Sequence, residues 1–535
     1  MRAAHGRPPA LGGWLPLALL LALPTLLPLL AVAASFTRVD AELWAHFRHY
    51  LLPQVTANTL WLLAGVGLGV SLLGTLLAAL VALTEFPGRR FFSWALLLPL
   101  AIPGYVLATV VIGLLDWSGP LAVVLREAGY GLPDIRSRGG VILTLSGALY
   151  PYVYLVARNA FASQGVRTME AARLLGHSPL AAFWRVALPQ ALPWIAGGTL
   201  LALMETLADF GTVAAFNYDT FTTAIYKAWF ALFSIDAALQ LAGALIVLVL
   251  VLLALEQRLR GERRYHPSGG AGGGRRLALG RSRWLASGVC TLVFGCAFVV
   301  PAVQLLVWSL ADLAALDASL AQLALNSVSL GLIAALLTVA FALAAALSAR
   351  HAPGPLTRLA ARIPTLGYAF PGPLLALGLF VPFAGLVQWL NLQLGLALVV
   401  QGSLLILLAA YMVRFTAVAH APVAAGLLRI RPSVEEAARL QGVGGVRLVR
   451  QVHLPLLSGG LLSGGLLVMV DVMKEMPITL MTRPFGWDTL AVRVFELTSE
   501  GEWQRAALPA LCIVAAGLLP VIWLNRGLES RHAGH

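Results

Sequence analysis

Charge is scarce in this chain: 11% of its 535 residues are Asp, Glu, Lys or Arg, against 59% hydrophobic, and the mean hydropathy is +0.83. Soluble domains carry roughly 25% charged residues, so a chain this apolar lacks the polar surface to wrap a soluble core and belongs in a bilayer. Cysteine is nearly absent. Cys290, Cys296 and Cys512 lie in apolar runs at spacings that fit neither a disulfide framework nor a zinc site, and they read as small core-like thiols. A Gly-x-x-x-x-Gly-Lys-Ser/Thr phosphate loop is missing, so the chain cannot bind ATP in that way. Its ten histidines do not cluster as ligands along the sequence. His177, His420 and His453 fall between apolar runs or at their ends, where exposed or interfacial places are expected. No Ser-His-Asp arrangement or metal spacing stands out, so the expectation is no catalytic residue, no structural metal site and no cofactor in this chain.

What is abundant is apolar length. A bilayer-crossing helix needs about 20 mostly apolar residues, and twelve such stretches can be read: 14–34, 57–83, 92–115, 139–161, 191–215 and 238–256, then 284–308, 325–349, 361–385, 393–418, 456–481 and 506–525. The first, preceded by Arg2 and Arg7 and followed by Ala31-Val32-Ala33-Ala34, has some features of a cleaved signal. Its apolar run exceeds the usual 7–15 residues of a signal core, which favours an uncleaved helix. With the N-terminus placed in the cytoplasm, arginine collects in the cytoplasmic segments and the outer side is acidic, as the positive-inside rule requires. The net charge of +13 therefore reports topology, not nucleic-acid binding.

Residues 257–283 form an Arg/Gly-rich linker that includes Gly272-Gly273-Gly274 and reads as a flexible cytoplasmic connection. The flanking sequences match. Asn58-Thr59-Leu60 opens the second span and Asn326-Ser327-Val328 the eighth, 268 residues later; Pro103-Gly104 breaks the third span and Pro371-Gly372 the ninth, again 268 later. Six spans precede the linker and six follow, so the halves are parallel repeats about an axis along the membrane normal, with a pathway expected between them.

The loop after span four reads Glu170-Ala171-Ala172-Arg173-Leu174-Leu175-Gly176 and ends in Val186-Ala187-Leu188-Pro189. The loop after span ten reads Glu436-Ala437-Ala438-Arg439-Leu440-Gln441-Gly442 and ends in Val452-His453-Leu454-Pro455, at the same spacing and an offset of 266. The physics suits a docking element. The acid is expected in the first turn of a short helix, where the dipole favours negative charge, with Ser433 and Glu436 as a capping box. Gly176 and Gly442 are expected to end that helix in a left-handed turn, Ser178-Pro179 to start the next, and the alanine pair to admit another surface at close range.

These motifs resemble the binding-protein-dependent permeases of ATP-binding-cassette importers, whose signature is Glu-Ala-Ala, three residues, Gly, nine residues, then Ile/Val-x-Leu-Pro. The resemblance covers roughly 57–256 and 325–527. It implies an all-α integral membrane protein of about 12 transmembrane helices in two parallel six-helix repeats of the MetI-like type. It implies that each motif is a coupling helix seated in a groove of an ATPase, so two separate ATPase subunits bind ATP for one chain. It places the protein in the bacterial plasma (inner) membrane with both termini cytoplasmic. The expected organisation is 1–56, a first helix and outer loop; 57–256, the first repeat; 257–283, the linker; 284–324, a seventh helix and outer loop; 325–527, the second repeat; and 528–535, a cytoplasmic tail.

Charges inside a span are costly and face a pathway or a partner. Glu205 and Asp209 in span five, and Asp471 and Glu475 in span eleven, are each spaced i,i+4 on one expected helix face, again at an offset of 266. Such carboxylates suit a hard cation; alternatively they pair with arginines or cap helix ends. The stretches Asp209-Phe210-Gly211-Thr212, Tyr218 to Tyr226, Lys474 to Leu480 and Arg483 to Ala491 resemble the ferric-iron importer branch, with Met476 and Ile478 as mild departures. The branch implies a periplasmic or lipid-anchored iron-binding protein, with the outer loops around Asp219 and Asp488 as its docking surface; turn formation before Thr is the plainer reading of those two aspartates. Fused permeases of this type also serve thiamine, and another small solute such as a polyamine stays open. An ion-gradient-driven carrier is the reading from a different class, and it gives no reason for a repeated docking motif.

Overall fold

Every backbone N–H and C=O inside hydrocarbon must find its partner within the protein, and in a single apolar segment only a helix achieves this. In the computed structural model, which describes residues 14–131, 133–260, 276–312, 318–351, 354–395 and 403–532, twelve helical stretches are long and apolar enough to cross a membrane. All twelve expected spans have a counterpart. The third, ninth and tenth are displaced; the tenth, expected at 393–418, runs Leu404–Arg429, and 396–402 lies outside the described residues. Span three begins only at Gly104, after a short helix Arg89–Ala95 and a 3-10 turn Leu98–Ala101; span nine begins at Gly372, after Pro355–Arg362 and Ile363–Ala369. Pro103 and Pro371 explain the shift. Each sits just before its helix with ψ near 147° and 146°, and the residue preceding a proline is pushed out of the helical region.

The chain forms two compact units. One comprises residues 1–39, 228–243 and 321–489, the other 40–227, 244–320 and 490–535. In the first, helix Trp14–Ser35 packs on Pro355–Arg362 and Gly372–Leu394, and helix Leu404–Arg429 on Leu454–Lys474. In the second, helices Leu52–Leu83, Arg138–Ala160 and Leu188–Ala208 form the centre, and Val300–Ala311 packs against the last helix, Trp503–His532. The units thus do not follow the sequence halves: the first span joins the unit built on the second repeat, and spans seven and twelve join the one built on the first.

Two-residue strands, Thr84–Glu85 and Leu277–Ala278, pair in parallel and tie the end of the linker to the loop after span two. The middle of the linker, 261–275, lies outside the described residues. Cys290 is buried and Cys512 half-buried, but Cys296 is exposed on its helix and is not a core thiol.

Candidate functional site

The repeated loops fold into elbows. The first runs through helix Val166–Leu174, turns, and resumes at Pro179; the second runs through Pro432–Leu440 and resumes at Gly445. Gly176 and Gly442 take φ of 89° and 79°, a left-handed conformation that a side chain would strain. Past them, the N–H groups of His177 and Val443 donate to the carbonyls of Ala172 and Ala438 at 3.1 and 2.9 Å, closing the turn as expected. Ser178 caps the return helix, its Oγ accepting from Ala181 N–H at 3.3 Å.

Some local expectations fail. Neither Glu170 nor Glu436 lies in a first turn. In the first copy the chain is already helical from Arg138, through a π-type turn at Phe161–Gly165, so no free helix start precedes Glu170. In the second, the N-cap is Arg431, no side chain caps, and the first-turn acid is Glu435; Ser433 and Glu436 form no capping box. The alanines divide, with Ala172 buried in the core and Ala171 and Ala437 exposed. Leu188 is half-buried, and Pro189, Leu454 and Pro455 are exposed where the return helices lengthen into spans. The elbows present apolar side chains in matching register: Leu174 and Leu440 are 89% and 91% exposed, Leu180 and Val446 68% and 84%.

His453 is fully buried, not interfacial, and with His351 it meets Glu435, so the histidines do cluster. Burial pushes the Glu435 carboxyl up, but the His453 hydrogen bond and the Arg350, His351 and His453 charges outweigh it and hold its pKa below the ordinary carboxylate value.

The intramembrane acids divide by role. Glu205 and Asp471 stay on their helices, half-buried. Asp209 and Glu475 do not share that face, because each is where its helix ends, with ψ of 131° and 111°. Their carboxylates turn to the short helix that follows. Asp209 accepts from Val213 N–H at 3.1 Å and from the Thr212 hydroxyl at 2.8 Å. Glu475 Oε1 accepts from Ile478 N–H at 3.4 Å, and Oε2 lies 3.2 Å from Arg414 Nε. Arg414 is 7% exposed and donates to the Phe370 carbonyl at 2.7 Å. Sequence reasoning missed it, since Ala148 stands 266 residues earlier and the repeat gives no signal. The Pro-Gly breaks now have a purpose. A Cβ on Gly104 would lie 2.6 Å from Thr212 Oγ1 and 3.4 Å from Asp209 Oδ2; one on Gly372 would lie 2.9 Å from Pro477 and 3.0 Å from Glu475 Oε1. In each repeat, glycine lets span three or nine start against the acid-bearing junction.

Asp219 and Asp488 are partly exposed, pairing with Lys227 at 2.6 Å and Arg483 at 2.8 Å. Their backbone carbonyls accept from Asn58 and Asn326, both at 3.0 Å, which gives the repeated Asn-Thr/Ser dipeptide its role. Beyond them, Thr220–Ile225 and Thr489–Val492 turn inward and are buried.

Among known proteins, the chain is 29% identical over 536 residues to the Fe(3+)-transport system permease protein FbpB 2 of Haemophilus influenzae, covering 97% of this chain and 99% of that protein. It is 29% identical over 143 residues to the molybdenum transport system permease protein ModB of Escherichia coli, covering 27% of this chain and 62% of that protein. The family of binding-protein-dependent transport system inner membrane components matches residues 71–256 and 337–533, so each half carries one match that includes its elbow and its acid pair. With twelve membrane-length helices and this family in both halves, the chain belongs to the binding-protein-dependent transport system inner membrane components, as a multi-pass transport permease with two fused repeats.

Proposed function

We propose that this permease imports ferric iron, driven by two ATPase subunits that each grip one elbow on the cytoplasmic side, and fed by a periplasmic or lipid-anchored iron-binding protein. The duplicated elbow carries the reading. One chain offers two grips of the same build, each with a left-handed glycine turn and an exposed apolar pair, Leu174 with Leu180 and Leu440 with Val446. Exposed apolar groups of this kind mark interaction surfaces. Iron as the cargo is supported by the end-to-end similarity to an Fe(3+)-transport system permease protein; thiamine and polyamine have no comparable support.

In this mechanism the ATPases close on ATP and draw the elbows together. The helices that run out of each elbow, Pro179–Ala208 and Gly445–Lys474, carry that displacement to the acid-bearing junctions and switch the pathway between outward and inward access. ATP shifts the equilibrium only by its differential affinity for the two states. Glu205 and Asp471 lend the pathway oxygen donors and negative potential suited to a hard cation, while Asp209 and Glu475 fix the junctions through which the motion passes. The partly exposed carboxylates of Asp219 and Asp488, with the fully exposed Phe485, serve as docking points for the binding protein.

The test is reconstitution with the ATPase and purified candidate binding proteins. Iron-loaded binding protein should stimulate ATP hydrolysis and iron uptake into vesicles. Stimulation by a thiamine-loaded partner with no response to iron would overturn the substrate assignment, and uptake without any ATPase would overturn the mechanism.

A further inference from the structure

Three elements converge where the second elbow meets the end of span eight: His351 from helix Ala318–His351, Glu435 from the elbow helix and His453 from the return helix. His351 Nε2 lies 3.2 Å from Glu435 Oε2, and His453 Nε2 lies 3.1 Å from Glu435 Oε1. The three ligand atoms all fall within 4.8 Å of one another. Glu435 and His453 are 5% and 0% exposed.

The hydrogen bonding at His351 asks for a cation. Its Nδ1 lies 3.0 Å from the Leu347 carbonyl, which only accepts, so Nδ1 carries a proton. Its Nε2 lies 3.2 Å from a carboxylate oxygen that also only accepts. That contact needs a positive species between the two atoms: a second ring proton, which makes an ion pair, or a metal ion that takes the Nε2 lone pair. A ring nitrogen bonded to a backbone carbonyl with the other turned to the site is also how metal-bound histidines are oriented. Each imidazole Nε2 faces a different oxygen of the carboxylate, at 3.2 and 3.1 Å, near the roughly 3.3–3.4 Å between two ligands of a tetrahedral ion bound at about 2.0–2.1 Å. Two imidazoles and a carboxylate are a donor set for zinc and other first-row ions. Arg350 Nε at 2.7 Å and Arg439 at 3.6 Å orient the carboxylate, and Trp14 stacks on the His351 ring at 4.9 Å.

The first elbow shows that the fold does not need this chemistry. At the matching positions stand Leu83, Met169 and Ala187, all buried in one apolar core. We infer that His351, Glu435 and His453 form a site for one divalent first-row transition-metal ion of the zinc type, which clamps the second elbow to the end of span eight. The site belongs to the second elbow alone and does not depend on what the transporter carries.

The test uses the full-length chain in detergent with zinc as the probe. Metal analysis after equilibration and removal of free ion should find one tightly held equivalent per chain, lost in the variant His351→Leu, Glu435→Met, His453→Ala. That variant copies the first elbow's apolar trio, and Arg350 keeps an acceptor in the Ile430 carbonyl at 2.6 Å. If the variant does not fold, the unmodified chain still decides. Hydrogen exchange over 432–440 should slow about tenfold at zinc ten times its Kd, with no change over 166–174. Wild-type chain that holds no zinc, an equivalent that survives the triple substitution, or equal exchange in both elbows would each overturn the site.

Discussion

A methyl group at position 104 has no room. It would sit 2.6 Å from the Thr212 hydroxyl oxygen, so Gly104→Ala should destabilise the purified protein by about 1–3 kcal/mol, as overpacking does. Thr212→Ala removes the obstructing oxygen, so the double variant should be more stable than the two single effects add up to; thermal unfolding of the four proteins in one detergent measures this. Arg414 makes the opposite case. It is buried beside Glu475, and Arg414→Leu alone leaves that carboxylate uncompensated, a loss of about 3–5 kcal/mol. Arg414→Met with Glu475→Gln should restore most of the stability, and wild-type-like unfolding of the single variant would refute the pairing. At this scale legibility followed repetition. The Pro-Gly and Asn motifs recur and announce structural work, although only the structure tells what they touch. Arg414 and Glu435 occur in one half only, and no periodicity marks a lone polar residue that meets its partner through tertiary packing.

The elbow is the element on which the transport mechanism rests. Its glycine turn and its serine cap were readable because each follows from local backbone chemistry. The placement of its acids was not: in the first copy the helix continues from the span before through Phe161–Gly165, and in the second it begins at Pro432, too early to keep Glu436 in the first turn. Glu170→Arg with Glu436→Arg should uncouple ATP hydrolysis from transport without unfolding the permease, read as ATPase activity no longer matched by uptake. Leu174→Asp with Leu440→Asp should weaken ATPase co-purification while shifting stability by less than about 0.5 kcal/mol, since both side chains are exposed. Ser178→Ala should cost about 1 kcal/mol through loss of the cap, and an unchanged melting temperature would show that the cap contributes nothing.

For the whole molecule, hydropathy sufficed to count spans and halves but not to assign them to compact units. The first span packs with the second repeat, where the Pro28 backbone and ring fill the space beside Gly378; this is a tertiary fact with no trace in the first helix's composition. Gly378→Val should therefore destabilise the unit built on the second repeat even though valine suits a membrane helix, and a neutral outcome in detergent unfolding would contradict that packing. Transport in this proposal rests on two like elbows of one chain being gripped by two nucleotide-driven subunits. The most direct test is native mass measurement of the purified complex, made on the wild type and on the Leu174→Asp, Leu440→Asp double variant. Two ATPase subunits should be found on each wild-type chain and be lost from the variant. A wild-type chain that binds no ATPase, or a variant that keeps both, would contradict the proposal.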